Sequence, residues 1–232
     1  NASMSIDAMG EGDATTGNGN VLGLSGGFGS LTFSDVEGGD YLPVDGLTSN
    51  GNGTVGDRVS YAFPEMVPGL SVSIGYKDGV STAGFGSMTP TSSSTSISLG
   101  YKVGALSVSA VSVDMTDFAP AAGLNGRTGY KIGYDFGVAA VTYGSLSTDN
   151  GTDVDNKETG LTVTAPVGPV SVAVTYATSK NDGAVSRKGN GLKVSYPMSK
   201  RTTVAFYAES FDGTTATAKN VSETSLKISH SF

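Results

Sequence analysis

The chain has 232 residues, no cysteine and a formal net charge of −7, with a sequence pI near 4.6. These features exclude a disulfide framework and a cysteine metal centre, and an acidic chain without a basic patch argues against nucleic acid as a partner. Charged residues are only 15% of the chain and glycine alone supplies 34 positions, which excludes a helix bundle, while no run approaches the ~18 apolar residues of a membrane helix.

The N-terminal run Asn1-Ala2-Ser3-Met4-Ser5-Ile6-Asp7 lacks the basic region and apolar core of a signal peptide, so the chain reads as mature, truncated or never exported. From there the signal is period 2. Alternation predicts strands over 2–9, 20–26, 29–35, 58–64, 70–77, 95–103, 105–113, 128–136, 138–146, 158–165, 169–178, 190–197, 201–210 and 223–232, about fourteen in all. In the fifth, Leu70, Val72, Ile74 and Tyr76 share one face while Ser71, Ser73 and Gly75 share the other. The pattern recurs in Ile97-Ser98-Leu99-Gly100-Tyr101, Val170-Ser171-Val172-Ala173-Val174 and Leu226-Lys227-Ile228-Ser229-His230.

A soluble β-sandwich also alternates, and a β-solenoid is also rich in Gly, Ser and Thr. Connection lengths separate these readings. The strands end alternately in very short turns, near Gly27-Phe28-Gly29, Val103-Gly104, Gly137, Pro166-Val167-Gly168-Pro169 and Pro197-Met198-Ser199-Lys200, and in longer polar stretches. Short turns on one side and long loops on the other predict a single all-β domain over 1–232, a transmembrane antiparallel up-and-down β-barrel. An even strand count puts both chain ends on the short-turn side, and such a sheet can close on itself. Aromatics near strand ends, including Tyr61, Phe63, Tyr76, Tyr101, Tyr130, Phe136, Tyr143, Tyr176 and Tyr196, suit a membrane interface and equally flank an ordinary β core.

The segment Leu24-Ser25-Gly26-Gly27-Phe28-Gly29-Ser30-Leu31-Thr32-Phe33 resembles the hairpin that precedes the constriction loop in general porins of Gram-negative bacteria, particularly α-proteobacterial ones. Arg58-Val59-Ser60-Tyr61-Ala62-Phe63-Pro64 resembles the strand after that loop, and Phe232 with His230, Ile228 and Leu226 behind it resembles the family's terminal insertion signal. The resemblance covers essentially the whole chain. It implies an outer-membrane porin: a water-filled channel for passive diffusion of small hydrophilic solutes and ions, surrounded by lipid, assembled as a homotrimer and without enzymatic activity. The family usually has sixteen strands, so the chain is expected either to lack an N-terminal hairpin or to form fourteen.

By the same resemblance, residues 35–57 are the constriction loop, with Asp35, Glu37, Asp40, Asp45 and Asp57 as its carboxylates; an exposed acidic loop is the competing reading. Wall bases facing them would be Arg58, Lys77, Lys131, Lys193, Arg201 and Lys227, with Arg58, Lys131, Lys193 and Lys227 joining the carboxylates at the constriction. Parity supports the inward placement, since Val59, Ile132, Val194 and Ile228 then face lipid, where Lys or Arg costs roughly 2–4 kcal/mol at the midplane. Asp149, Asp153, Asp155 and Glu158 offer oxygen ligands for Ca²⁺, but their loop departs from the twelve-residue helix-flanked motif, and a solvated turn is the favoured reading. The only histidine, His230, shares a face with Ile228 and Phe232, which argues against a catalytic base in a wet site. The alternative function is a barrel used for surface adhesion through its long loops.

Overall fold

A computed structural model describes residues 2–5, 21–36, 56–77, 93–115, 125–149, 156–181, 186–212 and 220–231. They form one antiparallel sheet of fourteen strands, each hydrogen-bonded to its neighbours in chain order. The strands are β1 (Ala2–Ser5), β2 (Val21–Gly26), β3 (Gly29–Val36), β4 (Gly56–Ala62), β5 (Leu70–Lys77), β6 (Ser94–Val103) and β7 (Leu106–Asp114). They continue with β8 (Gly126–Asp135), β9 (Ala140–Asp149), β10 (Asn156–Val167), β11 (Val170–Asn181), β12 (Arg187–Pro197), β13 (Thr202–Phe211) and β14 (Val221–His230). The expected alternation of tight turns and longer connections holds for most pairs, but residues 63–69 between β4 and β5 form a connection longer than 150–155 or 182–186 on the other side.

Register partners share a face, so the pairing sorts every strand residue. One face carries Leu22, Leu24, Phe33, Val59, Ile74, Tyr76, Ile97, Leu99, Tyr130 and Ile132, all exposed. The other carries Ser60, Gly75, Ser96, Thr142, Thr162, Thr175 and Gly191, with bases interspersed. Among the described residues no large side chain is fully buried. The buried apolar strand residues among those described, Val111, Val113, Leu146, Ala177 and Ala205, all lie on the polar face of one single sheet rather than between two sheets, which removes the sandwich reading; the apolar face is left to a solvent that wets it. Cross-strand hydroxyl pairs reinforce the ladder on both faces, Thr162 with Thr175 at 2.9 Å and Thr159 with Thr178 at 2.6 Å.

The tight turns use glycine where the backbone reverses with positive φ, at Gly29, Gly69, Gly104, Gly137 and Gly168. Aromatic rings crowd the same end. Tyr61 donates a hydrogen bond to the Phe28 carbonyl and packs edge-on against Phe63 at 4.9 Å, tying two hairpins together, and Tyr134 meets Phe136 at 4.7 Å.

Closure is where the structure departs from expectation. β1 and β14 are the two edges of the sheet and do not pair with each other among the described residues. β1 spans four residues against ten in β14, too few to pair along its length, and every residue from Val221 to His230 is exposed.

Candidate functional site

The polar face is built from ladder rows that run diagonally across the strands. One row links Ser34, Arg58, Lys77 and Ser94 on β3 to β6. The next links Ser60, Gly75, Ser96, Val113, Arg127, Thr148 and Asn156 on β4 to β10. A third carries Val111, Gly129, Leu146, Glu158, Ser179 and Arg187. Three cations thus meet at adjoining rows. Arg58 is paired directly with Lys77, and its guanidinium lies across Gly75, where an added Cβ would come within 3.1 Å of a terminal nitrogen. The absence of a side chain at Gly75 is what lets this group lie along the wall.

Access differs sharply along the polar face. Toward the long-connection ends it is closed: Ser96 and Arg127 are 4% exposed, Val113 3%, Glu158 5% and Ala177 0%. Toward the tight-turn ends Ser71, Lys102, Ser107 and Lys193 are exposed.

The family model described as Gram-negative porin matches residues 1–216. The chain belongs to this family. It is an outer-membrane channel for passive diffusion. The fold agrees: a porin refined at 1.8 Å superposes with a TM-score of 0.69 at 16% identity, covering 92% of this chain and 81% of that one. An anion-selective porin from Comamonas acidovorans gives 0.67 at 19% identity, covering 92% and 77%, and a mutant of Rhodopseudomonas blastica porin gives 0.67 at 13%, covering 100% and 88%. No curated protein is significantly similar in sequence.

In a porin the polar face is the lumen and the apolar face meets lipid. The expected wall bases Arg58, Lys77, Lys131, Lys193 and Lys227 all lie on the lumenal face. They are not at one level: Arg58 and Lys77 lie within two residues of the long-connection ends of β4 and β5, whereas Lys131 and Lys193 lie four residues, and Lys227 three, from the tight-turn ends of β8, β12 and β14. Lys193 rests its ammonium 5.2 Å from the centre of the Tyr207 ring. Arg201 is a correction: β13 begins at Thr202, so Arg201 lies in the exposed tight turn, its backbone N–H donating to Ser199 Oγ at 3.2 Å. Asp35 and Asp57 are a further correction: they are register partners one step beyond Ser34 and Arg58, so they fall on the lipid-side parity rather than on the lumenal one expected of constriction carboxylates, while Glu37, Asp40 and Asp45 lie outside the described residues.

Arg127 is a wall base that the sequence pattern does not single out, and Arg187 is another. The strand expected from alternation starts at 128 because Gly126 and Thr128 are not apolar; continuing the parity of Lys131 and Gly129 back by one step reaches Arg127. Of the calcium candidates, Asp149 ends β9 on the lipid-side parity and accepts from Asn125 Nδ2 at 3.4 Å, whereas Glu158 is buried on the lumenal face. The sheet therefore separates them, and Asp153 and Asp155 lie outside the described residues. His230 bonds Thr202 Oγ1 through Nδ1 at 2.8 Å on the lipid-side face, in line with its expected direction.

Proposed function

We propose that this porin passes small hydrophilic solutes and ions through an eyelet set where Arg58, Lys77 and Arg127 face the 35–57 segment. The observation that carries it is the inaccessibility of one contiguous stretch of lumenal wall, from Lys77 and Ser96 through Arg127 and Glu158 to Ala177 and Ser179, beside exposed lumenal residues at the tight-turn ends. A constriction with carboxylates on the loop and cations on the wall sets up a transverse field, which favours polar solutes that can align in it and rejects apolar ones. The segment's carboxylates Glu37, Asp40 and Asp45 supply the negative side. No step of this transport needs catalysis or a bound cofactor. Assembly as a homotrimer follows the family pattern; cross-linking in mild detergent should yield three-subunit products, and monomers alone would refute it.

Planar-bilayer recording tests the eyelet. Asp40→Ala and Asp45→Ala should shift the reversal potential while the folded protein keeps its heat-modifiable migration, because a loop inside the lumen bears no sheet hydrogen bonds. Unchanged reversal potentials in both variants would remove 35–57 from the constriction.

A further inference from the structure

Aromatic rings follow the parity of the sheet with two exceptions. The strand aromatics from Phe33 and Tyr61 to Tyr196 and Phe206 have the lipid-side parity, whereas Tyr207 and Phe211 have the lumenal one. Both belong to β13, and both are half-buried. Between them on the same face stands Glu209, whose register partner on β14 is Glu223. Two carboxylates directly opposite each other are unfavourable unless a cation lies between them. Their own row supplies none, since it continues from Glu209 to Gly191 on β12 and Thr175 on β11.

The bases lie on the tight-turn side of this pair. Lys193 pairs with Tyr207, one row from the acids, and Lys227 pairs with Ala205, a row further. The Lys193 ammonium stands 5.2 Å from the centre of the Tyr207 ring, so that ring already presents a face to a lumenal cation. Lys193, Lys227 and Glu223 are exposed and Glu209 is half-buried, and among the described residues no ion pair joins the bases to the acids. Successive rows are two residues apart, about 7 Å at ~3.3 Å per residue, which is inside the ~8 Å over which charges act at physiological salt. One small solute against this wall therefore feels both signs of charge at once.

We infer that Tyr207, Glu209, Phe211 and Glu223, together with Lys193 and Lys227, form a lumenal subsite for a zwitterionic organic solute of the amino-acid class. Its ammonium lies between the two carboxylates and against the rings, where cation–π attraction adds to the charge contact. Its carboxylate meets the ammonium groups of Lys193 and Lys227. A simple cation lacks the second contact, and a simple anion is repelled by the acid pair. The subsite rests on the lumenal reading of this face but not on the eyelet.

Saturation-transfer NMR on the full chain in non-ionic detergent reads binding without requiring conduction. The probes are 4-aminobutyrate, butyrate and butylammonium, which share a four-carbon frame and differ in charge. The wild type should bind 4-aminobutyrate more tightly than either of the others. E209Q/E223Q should weaken 4-aminobutyrate about fivefold, the size of one exposed ion pair, while strengthening butyrate. K193Q/K227Q should weaken it by a similar factor while strengthening butylammonium. A merely distorted wall would not produce these opposite changes in charge preference, and E209Q alone, with the same direction of change, serves if a double variant misfolds. Equal binding of 4-aminobutyrate and butylammonium by the wild type would make the patch a cation site only. Unchanged binding in both charge variants would mean that its acids and bases neutralise one another, and either result overturns the subsite. KCl conductance of the wild type in a planar bilayer tests the channel separately.

Discussion

Gly69 and Arg127 show how single positions set the wall. Gly69 has φ of 81°, and an added Cβ would meet the Lys102 carbonyl oxygen well inside 3.0 Å, while its N–H donates to Glu65 Oε1 at 2.5 Å and its own carbonyl accepts from Lys102 N–H at 2.9 Å. Gly69→Ala therefore adds backbone strain and a backbone clash at once, and should cost about 1–3 kcal/mol, read as a lower unfolding midpoint in detergent. Arg127, 4% exposed in the narrowed stretch, acts at short range where few water molecules screen it. Lys193 is exposed toward the open end. Charges more than ~8 Å apart are largely screened at physiological salt. Arg127→Gln should accordingly move the reversal potential toward cations by more than Lys193→Gln does, and equal shifts would mean that the narrow section lies elsewhere.

At the scale of the strand, parity is the controlling variable. In β10, Val163 faces lipid while Thr162 faces the lumen and bonds Thr175. Val163→Lys should cost roughly 2–4 kcal/mol near the midplane and reduce the fraction that inserts into vesicles, while Thr162→Lys should insert normally after losing about 1 kcal/mol of hydrogen bonding. Comparable insertion of both variants would show that the two faces are not exposed to different solvents. This dependence on solvent also decides how much of the fold is legible in the amino-acid sequence. Strands are legible where one face meets hydrocarbon, because only there must residues alternate; hence the expected ends near the tight turns are close to those observed. Toward the long connections β8 to β12 run past their expected limits, to Gly126, Asp149, Asn156, Asn181 and Arg187, because above the bilayer both faces are wet and alternation stops while the hydrogen-bond ladder continues. Arg127 and Arg187 occupy these extensions. The inward bases Arg58, Lys131 and Lys193 are legible because each is flanked by an apolar residue. Their relative heights are not, since height depends on register, which pairing sets and composition does not.

For the whole molecule, the sign of ion selectivity follows from which charges control the narrow section. The chain's net charge is −7, and the 35–57 segment holds five carboxylates in Asp35, Glu37, Asp40, Asp45 and Asp57. Against them stand Arg58, Lys77 and Arg127 on the wall, of which the sequence alone placed only Arg58 at the constriction. The lumen also carries Glu158 within the closed stretch and Glu209 and Glu223 beyond it, so cations are favoured there as well. Lys131, Lys193 and Lys227 offset these acids along the wider section, where screening leaves them little reach. Asp35 and Asp57 have the lipid-side parity, which leaves Glu37, Asp40 and Asp45 against Arg58, Lys77 and Arg127, so it is the net charge of −7 that gives the expected modest cation preference, decreasing as salt rises. A tenfold KCl gradient across a planar bilayer gives the sign directly, and Arg127→Gln should increase the preference. A clear anion preference would instead mean that the three clustered cations dominate the field at the narrowest point.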